Sequence, residues 1–118
     1  TQPVGMRLGT ERTVDAAQRR LGPACAGVVA VVPDYIVRVT GTLPLLRVFV
    51  RASDDTTLLV NTADGRWLCS DDWNGGRDPL VDIVNAPAGQ YDIWVGRRAS
   101  SPSVRATLTV TDSAARRP

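Results

Sequence analysis

The sequence contains no histidine and only two cysteines among its 118 residues. Without histidine, the Ser-His-Asp and Cys-His arrangements that activate a nucleophile lack their usual base. Two thiols without histidine would leave carboxylates to complete a zinc tetrahedron, which is an unusual ligand set for structural zinc. No apolar run approaches the ~20 residues that a membrane-spanning helix needs. These absences argue against an enzyme, a structural zinc module and a membrane-spanning protein.

Charge is distributed unevenly, although the formal net charge is only +2. Between Asp54 and Asp92, eight acidic residues stand against two arginines, and the rest of the chain carries twelve arginines against four acids. Every basic residue is arginine, but these arginines are scattered over strands and tails rather than gathered on a basic helix. We therefore expect no nucleic-acid partner.

Short alternating segments separated by turns occupy most of the chain. Leu46, Val48 and Val50 face one side of a strand whose other side carries Arg47 and Arg51, so one face of this strand is expected to meet water. Eight or nine such strands at this spacing predict an all-β fold, an antiparallel β-sandwich of jelly-roll type.

The length of the chain predicts one domain over residues 1–118. Residues 1–9 show little periodicity and are expected to be a lead-in with one short edge strand. Residues 11–20 are ambiguous between helix and strand. Residues 112–118 are expected to be a frayed tail.

The two cysteines, Cys25 and Cys69, predict a disulfide, because an even count in a small β-domain without other cysteine chemistry is typical of a cross-linked fold. Closing a loop of about 45 residues would stabilise the fold by roughly 4 kcal/mol in the chain-entropy model. The alternative is a pair of buried free thiols in a cytosolic protein. A disulfide would favour a secreted or periplasmic location.

The loop after Cys69 carries several oxygen ligands beside two glycines that allow backbone carbonyls to turn inward. Calcium takes roughly six to eight oxygen ligands at flexible distances. The spacing does not match an EF-hand, because the glycine position counted from Asp72 holds Arg77. A second loop, Ser53-Asp54-Asp55, is the expected source of further ligands. The alternative is that both loops are ordinary solvated turns. The candidate calcium ligands are Asp55, Asp71, Asp72, Asn74 and Asp78.

Four motifs follow one another along the chain: an acidic, leucine-rich strand over 55–60, the hairpin Asp64-Gly65, a Cys-Ser-Asp-Asp segment over 69–72, and the strand AGQYDIWVG over 88–96. In their order and spacing they resemble the bacterial pre-peptidase C-terminal domain over roughly residues 33 to 110. The resemblance implies a secreted jelly-roll β-sandwich that accompanies extracellular proteases and other exported proteins. Some members of that family bind calcium, and some bind collagen or other polymers.

The resemblance supports the fold and export more directly than it supports calcium. Calcium-binding members often take acidic ligands from an N-terminal segment, whereas here that segment holds Glu11 and Asp15 at a different spacing. Asp55, Asp71 and Asp72 are therefore the strongest candidate ligands.

The three tryptophans are the remaining candidates for ligand contact. Trp73 lies in the glycine-rich loop and is predicted to be exposed, whereas Trp67 and Trp94 lie on strands, which favours core or rim positions. We expect a secreted or periplasmic, non-catalytic module that is stabilised by calcium and binds a polymer, a glycan or a protein. The alternatives are a metal-free carbohydrate-binding or adhesion module that uses exposed aromatics, and a structural domain that spaces a larger exported protein.

Overall fold

The computed structural model describes residues 2–8, 13–22, 24–71, 78–100 and 103–118. In these ranges, ten strands form two antiparallel sheets packed face to face, which confirms the predicted β-sandwich. The strand count exceeds the predicted eight or nine because the lead-in and the ambiguous segment after it both contain a strand. The strands are β1 (Gln2–Leu8), β2 (Thr13–Asp15), β3 (Val28–Ala30), β4 (Tyr35–Val39), β5 (Leu43–Ala52), β6 (Thr56–Asn61), β7 (Trp67–Ser70), β8 (Leu80–Ala86), β9 (Gly89–Arg97) and β10 (Val104–Thr111).

The two sheets share the chain in the manner of a jelly roll. The four-stranded sheet has the order β1-β10-β5-β8, and the six-stranded sheet has the order β2-β3-β9-β6-β7, with β4 also paired to β9. The chain passes between the sheets at most of its connections, so strands that are close in sequence often belong to opposite sheets. This arrangement of two interleaved Greek keys confirms the predicted fold type.

Strand periodicity builds the core between the sheets. Along β9, Tyr91, Ile93 and Val95 are fully buried and point inward, so Asp92 and Trp94 point to the outer side. The hydroxyl of Tyr91 donates to the carbonyl of a proline in the preceding turn at 2.6 Å, and burial raises the pKa of Tyr91. The inner faces of both sheets therefore follow the alternation visible in the sequence.

The hairpin turn predicted at Ala63-Asp64-Gly65 joins β6 to β7. Thr62 N donates to Arg66 O at 2.8 Å, and Gly65 adopts the positive φ of 85° that this turn requires. Asp64 accepts hydrogen bonds from the Thr62 hydroxyl and from Arg66, and these bonds lower the pKa of Asp64. The turn is thus fixed by its own side chains.

The C-terminal segment, which the sequence predicts to be frayed, lies against the outer face of the four-stranded sheet. Arg47 donates through Nη1 to the carbonyls of Ala114 at 2.7 Å and Arg116 at 2.8 Å. Through Nε and Nη2 it also forms a bidentate pair with Asp82 at 2.7 and 2.8 Å. One side chain on β5 therefore holds the segment by its main chain, which no pattern in residues 112–118 reveals.

The same segment is also bonded to a second arginine of β5. Arg51 donates to the carbonyl of Arg117 at 3.5 Å, so the segment runs from Arg47 towards Arg51 along β5. Phe49 lies between these two arginines on the same face and is only 4% exposed. We infer that the C-terminal segment supplies the cover for Phe49.

Candidate functional site

The long connections of the sandwich meet at one end, which we call the loop-bearing end. Ser53 N, in the turn between β5 and β6, donates to Arg105 O near the start of β10 at 3.0 Å. Val50 N, on β5, donates to Pro79 O at the end of the β7–β8 connection at 3.1 Å. The 53–55 turn and the described end of the β7–β8 connection therefore lie at the same end of the molecule.

The five predicted calcium ligands fall into two groups. Asp72 and Asn74 lie outside the described residues, as does Trp73, the predicted ligand contact. Asp55 is half-buried before β6, Asp71 is exposed after β7, and the carboxylate of Asp78 accepts a hydrogen bond from a β5 backbone N–H at 3.2 Å.

Within the described ranges, no three acidic or thiol groups lie close enough to hold a metal ion. Asp55, Asp71 and Asp78 are therefore not gathered into such a group. Calcium binding stays a prediction, because two of its candidate ligands, Asp72 and Asn74, lie in residues 72–77.

A neighbouring carboxylate at this end is paired with an arginine. Arg98 Nη2 donates to Asp54 Oδ1 at 2.7 Å, and the backbone N–H of Asp55 donates to the same oxygen at 2.7 Å. The hydrogen bond to Asp54 raises the pKa of Arg98. Part of the negative charge that the sequence places in the 53–55 loop is therefore balanced within the chain.

A second, smaller core lies on the outer side of the six-stranded sheet. Cys25 and Cys69 form the predicted disulfide, which ties the segment after β2 to β7. Ala16, in the 3-10 helix Ala16–Arg19, is buried there together with Val29 and Leu59. The segment between β2 and β3 therefore acts as a cover for part of this outer face.

This cover is joined closely to the sheet at the loop-bearing end. The hydroxyl of Thr57 donates to Ala26 O at 2.7 Å. A Cβ at Gly96 would collide with the Thr57 hydroxyl, and a Cβ at Gly27 would also crowd it. The two glycines therefore permit the close approach of β3 to the end of β9.

Two tryptophans border the cover and form a groove. Trp67 on β7 and Trp94 on β9 reach towards each other across β6, with ring centroids 5.2 Å apart and ring planes tilted by 37°. Both side chains are only partly buried. The groove has a volume of about 470 Å³, which is within the roughly 300–1,000 Å³ typical of ligand sites. We call it the tryptophan groove; its lining includes Val14, Arg19, Leu21, Val31, Trp67 and Trp94.

Beside the groove, a row of side chains crosses the open part of the same sheet face. Ile36, Asp92, Asn61 and Trp67 are consecutive partners across β4, β9, β6 and β7. Ile36 is exposed, and the other three are half-buried. The row therefore places an amide and a carboxylate directly beside an indole ring.

The sequence analysis did not select Trp67 and Trp94 as site residues, although the alternation of apolar residues along the strands indicates which face they occupy. Tyr91, Ile93 and Val95 alternate inward, and this pattern already places Trp94 on the opposite face. The preference of tryptophan for buried positions favoured the core instead. Pairing of β7 with β6 likewise places Trp67 on the outer side beside Asn61.

Comparison with known proteins does not identify the chain. No known protein family matches it, and no curated protein is significantly similar to it. In the described residues, no helix has the length and apolar character needed to span a bilayer. The functional interpretation therefore depends on the two surfaces of the sandwich and on the loop-bearing end.

Proposed function

We propose that this chain is a non-catalytic carbohydrate-binding module of an exported protein, with its ligand site at the tryptophan groove and the adjoining row. The observation that carries the proposal is the partly exposed Trp67–Trp94 pair on the outer face of a sheet. One face of a sugar ring presents C–H groups that pack well on an indole, and the hydroxyls at its rim need hydrogen-bonding partners. An aromatic surface beside planar polar side chains provides both.

The polar side chains next to the tryptophans are held in place and retain free bonding capacity. Gln90 Nε2 donates to Asp92 Oδ1 at 2.8 Å, which leaves Asp92 Oδ2 as an acceptor for a hydroxyl. Asn61 Nδ2 donates to Arg66 O at 3.3 Å, which leaves the Asn61 side-chain carbonyl as a second acceptor. Groups fixed before binding lose little conformational entropy when a ligand arrives.

The Cys25–Cys69 disulfide supports export, because disulfides persist in secreted and periplasmic compartments and are rare in a reducing cytosol. The resemblance to the pre-peptidase C-terminal domain supports the same location. The lack of histidine in the whole chain supports a binding role over a catalytic one. The proposal therefore combines an oxidised β-sandwich with an aromatic binding surface.

Affinity electrophoresis in gels that contain soluble polysaccharides, followed by calorimetry with the polysaccharide that retards the protein, tests the proposal. We expect Trp67→Ala and Trp94→Ala each to weaken binding by about ten-fold or more, as for a buried aromatic anchor. Trp73→Ala tests the ligand contact that the sequence predicts. Val84→Ala is the control, because it removes an exposed apolar side chain from the four-stranded sheet, away from the groove.

Circular dichroism melts of each variant separate loss of binding from loss of fold. The proposal fails if no polysaccharide is bound, or if folded Trp67→Ala and Trp94→Ala proteins bind as tightly as the wild type. Loss of binding in Trp73→Ala alone would transfer the ligand site to the 72–77 loop, as the sequence predicted.

A further inference from the structure

A shallow depression of about 340 Å³ lies on the outer face of the four-stranded sheet, on the other side of the molecule from the tryptophan groove. Gly5, Thr107 and Arg51 stand side by side across β1, β10 and β5, and together they line it. Arg105, two residues before Thr107 on the same face of β10, and Ser53 line its end. We call this feature the arginine depression.

The charge in this depression is of one sign. Arg51 and Arg105 line it, and none of its lining residues in the described ranges is acidic. Arg7 on β1 is the direct cross-strand partner of Arg105. Like charges directly opposite on antiparallel strands destabilise the pair. A bound anion would offset this repulsion, so the sheet itself favours a negatively charged occupant.

A glycine keeps the depression open. Gly5 is exposed, and a Cβ added to it would meet no atom within 4 Å. Every other strand residue that lines the depression carries a side chain, so Gly5 is the point at which a ligand can approach the backbone of β1. Glycine inside a strand often marks such a close approach.

Hydrogen-bond donors surround this opening. Arg51 has one long bond of 3.5 Å to the Arg117 carbonyl, and its guanidinium has further N–H groups to offer. The hydroxyl of Ser53 accepts from Arg105 N at 3.3 Å, which leaves its hydrogen available to donate. Thr107 contributes a second exposed hydroxyl. Guanidinium groups and hydroxyls together match an oxyanion, which guanidinium can bind through two parallel hydrogen bonds.

We propose that the arginine depression binds an oxyanionic group, with Arg51 and Arg105 as charge partners, Ser53 and Thr107 as hydroxyl donors and Gly5 as its open floor. Sulfate, phosphate and carboxylate share this chemistry. The site lies on a different sheet from the tryptophan groove. This proposal is therefore independent of the proposed carbohydrate-binding function.

The first measurement is a titration of ¹⁵N-labelled protein with sodium sulfate, followed by NMR and compared with sodium chloride at the same ionic strength. We expect saturable shifts confined to the amides of residues 5, 53, 105 and 107 with sulfate and not with chloride. Parallel titrations with phosphate and acetate rank the possible sources of the anionic group. Shifts that are scattered over the surface, or equal with chloride, would overturn the proposal.

Variants separate a built site from diffuse attraction between charges. Gly5→Val keeps every arginine, suits a strand and fills the depression, so we expect it to weaken sulfate binding by roughly ten-fold. The double variant Arg51→Gln/Arg105→Gln should lose at least as much, because it removes both charge partners.

The matched control is Arg20→Gln/Arg38→Gln, which removes two exposed arginines away from the four-stranded sheet and should change sulfate affinity by less than about two-fold. If Gly5→Val binds sulfate like the wild type, or if both double variants lose the same affinity, attraction is a property of net charge and no site exists at Gly5.

Discussion

The two sheets bury their inner faces in the same way but differ in their outer faces. On the six-stranded sheet, Trp94, Leu59 and Cys69 are cross-strand partners, and this apolar row is covered in part by the disulfide-tied segment between β2 and β3. On the four-stranded sheet, Thr107 and Arg51 are partners in a polar row, and the cover is the C-terminal segment. The covered row of one outer face is apolar and aromatic, whereas the row beside the C-terminal segment is polar and basic.

This difference shows that the outward-facing residue at every second strand position can vary without changing the core. Inward residues are constrained by the shared core, whereas outward residues decide which cover each sheet needs and which ligand it can take. The cover of the six-stranded sheet packs on an apolar row and is tied to it by the disulfide. The four-stranded sheet holds its cover with hydrogen bonds to the main chain, because its outer face already carries donors.

The largest expected effect comes from removing the covalent tie of the six-stranded face. Cys25→Ala/Cys69→Ala opens a loop that spans 44 residues of sequence separation, and we expect a loss of about 4 kcal/mol in the free energy of unfolding. Denaturant unfolding of the non-reduced proteins measures it. Reducing agent should destabilise the wild type to a similar extent and leave the variant unchanged. A loss below about 1 kcal/mol would mean that packing of the cover, rather than the disulfide, holds this face.

A smaller effect is expected on the four-stranded face. Arg47→Met removes the bonds to Ala114 and Arg116 and leaves Asp82 without its bidentate partner, so we expect a loss of about 1–2 kcal/mol. Hydrogen exchange should show faster exchange for residues 112–117. Arg51→Met is the matched control, since its single bond of 3.5 Å should cost less than about 0.5 kcal/mol. Equal losses in the two variants would contradict a specific role for Arg47.

An effect no larger than that of Arg47→Met is expected at the loop-bearing end. If residues 72–77 complete the ligand set begun by Asp55 and Asp71, about 5 mM calcium should stabilise the protein by roughly 1–2 kcal/mol relative to EDTA. Thermal unfolding of the wild type and of Asp72→Ala measures it. Absence of any shift would leave the acidic loops as ordinary turns.

The sequence predicts the sandwich well because the evidence for it is local. Alternation along β9 and the Asp64-Gly65 hairpin are properties of a few adjacent residues, and both appear in the structure as expected. The disulfide followed from counting cysteines. The C-terminal segment was not predictable, because its partner is Arg47 and that residue lies more than half the chain away.

The candidate sites depend on strand order, which alternation alone does not supply. Trp67 and Trp94 form a pair only because β6 lies between β7 and β9 in the sheet. Arg105 and Arg51 line one depression only because β10 lies beside β5. The sequence predicts core or rim positions for the tryptophan pair, and it shows the two arginines only as part of a scattered set. The acidic loop was recognisable by contrast, since its residues are adjacent in the chain.

The break between β3 and β4 is bridged by a single carboxylate. Asp34 Oδ2 accepts from Val95 N at 2.8 Å, and Asp34 N donates to Ile93 O at 2.8 Å, so one residue continues the ladder where no strand runs. The chain leaves the sheet at Val31 and Val32, which are 55% and 64% exposed. The Val95 N–H still has a hydrogen-bond acceptor, because Asp34 replaces the missing strand there. Asp34 thus keeps β9 in register across the break. Insertions or substitutions at Val31, which lines the tryptophan groove, should therefore leave the pairing of the neighbouring strands intact.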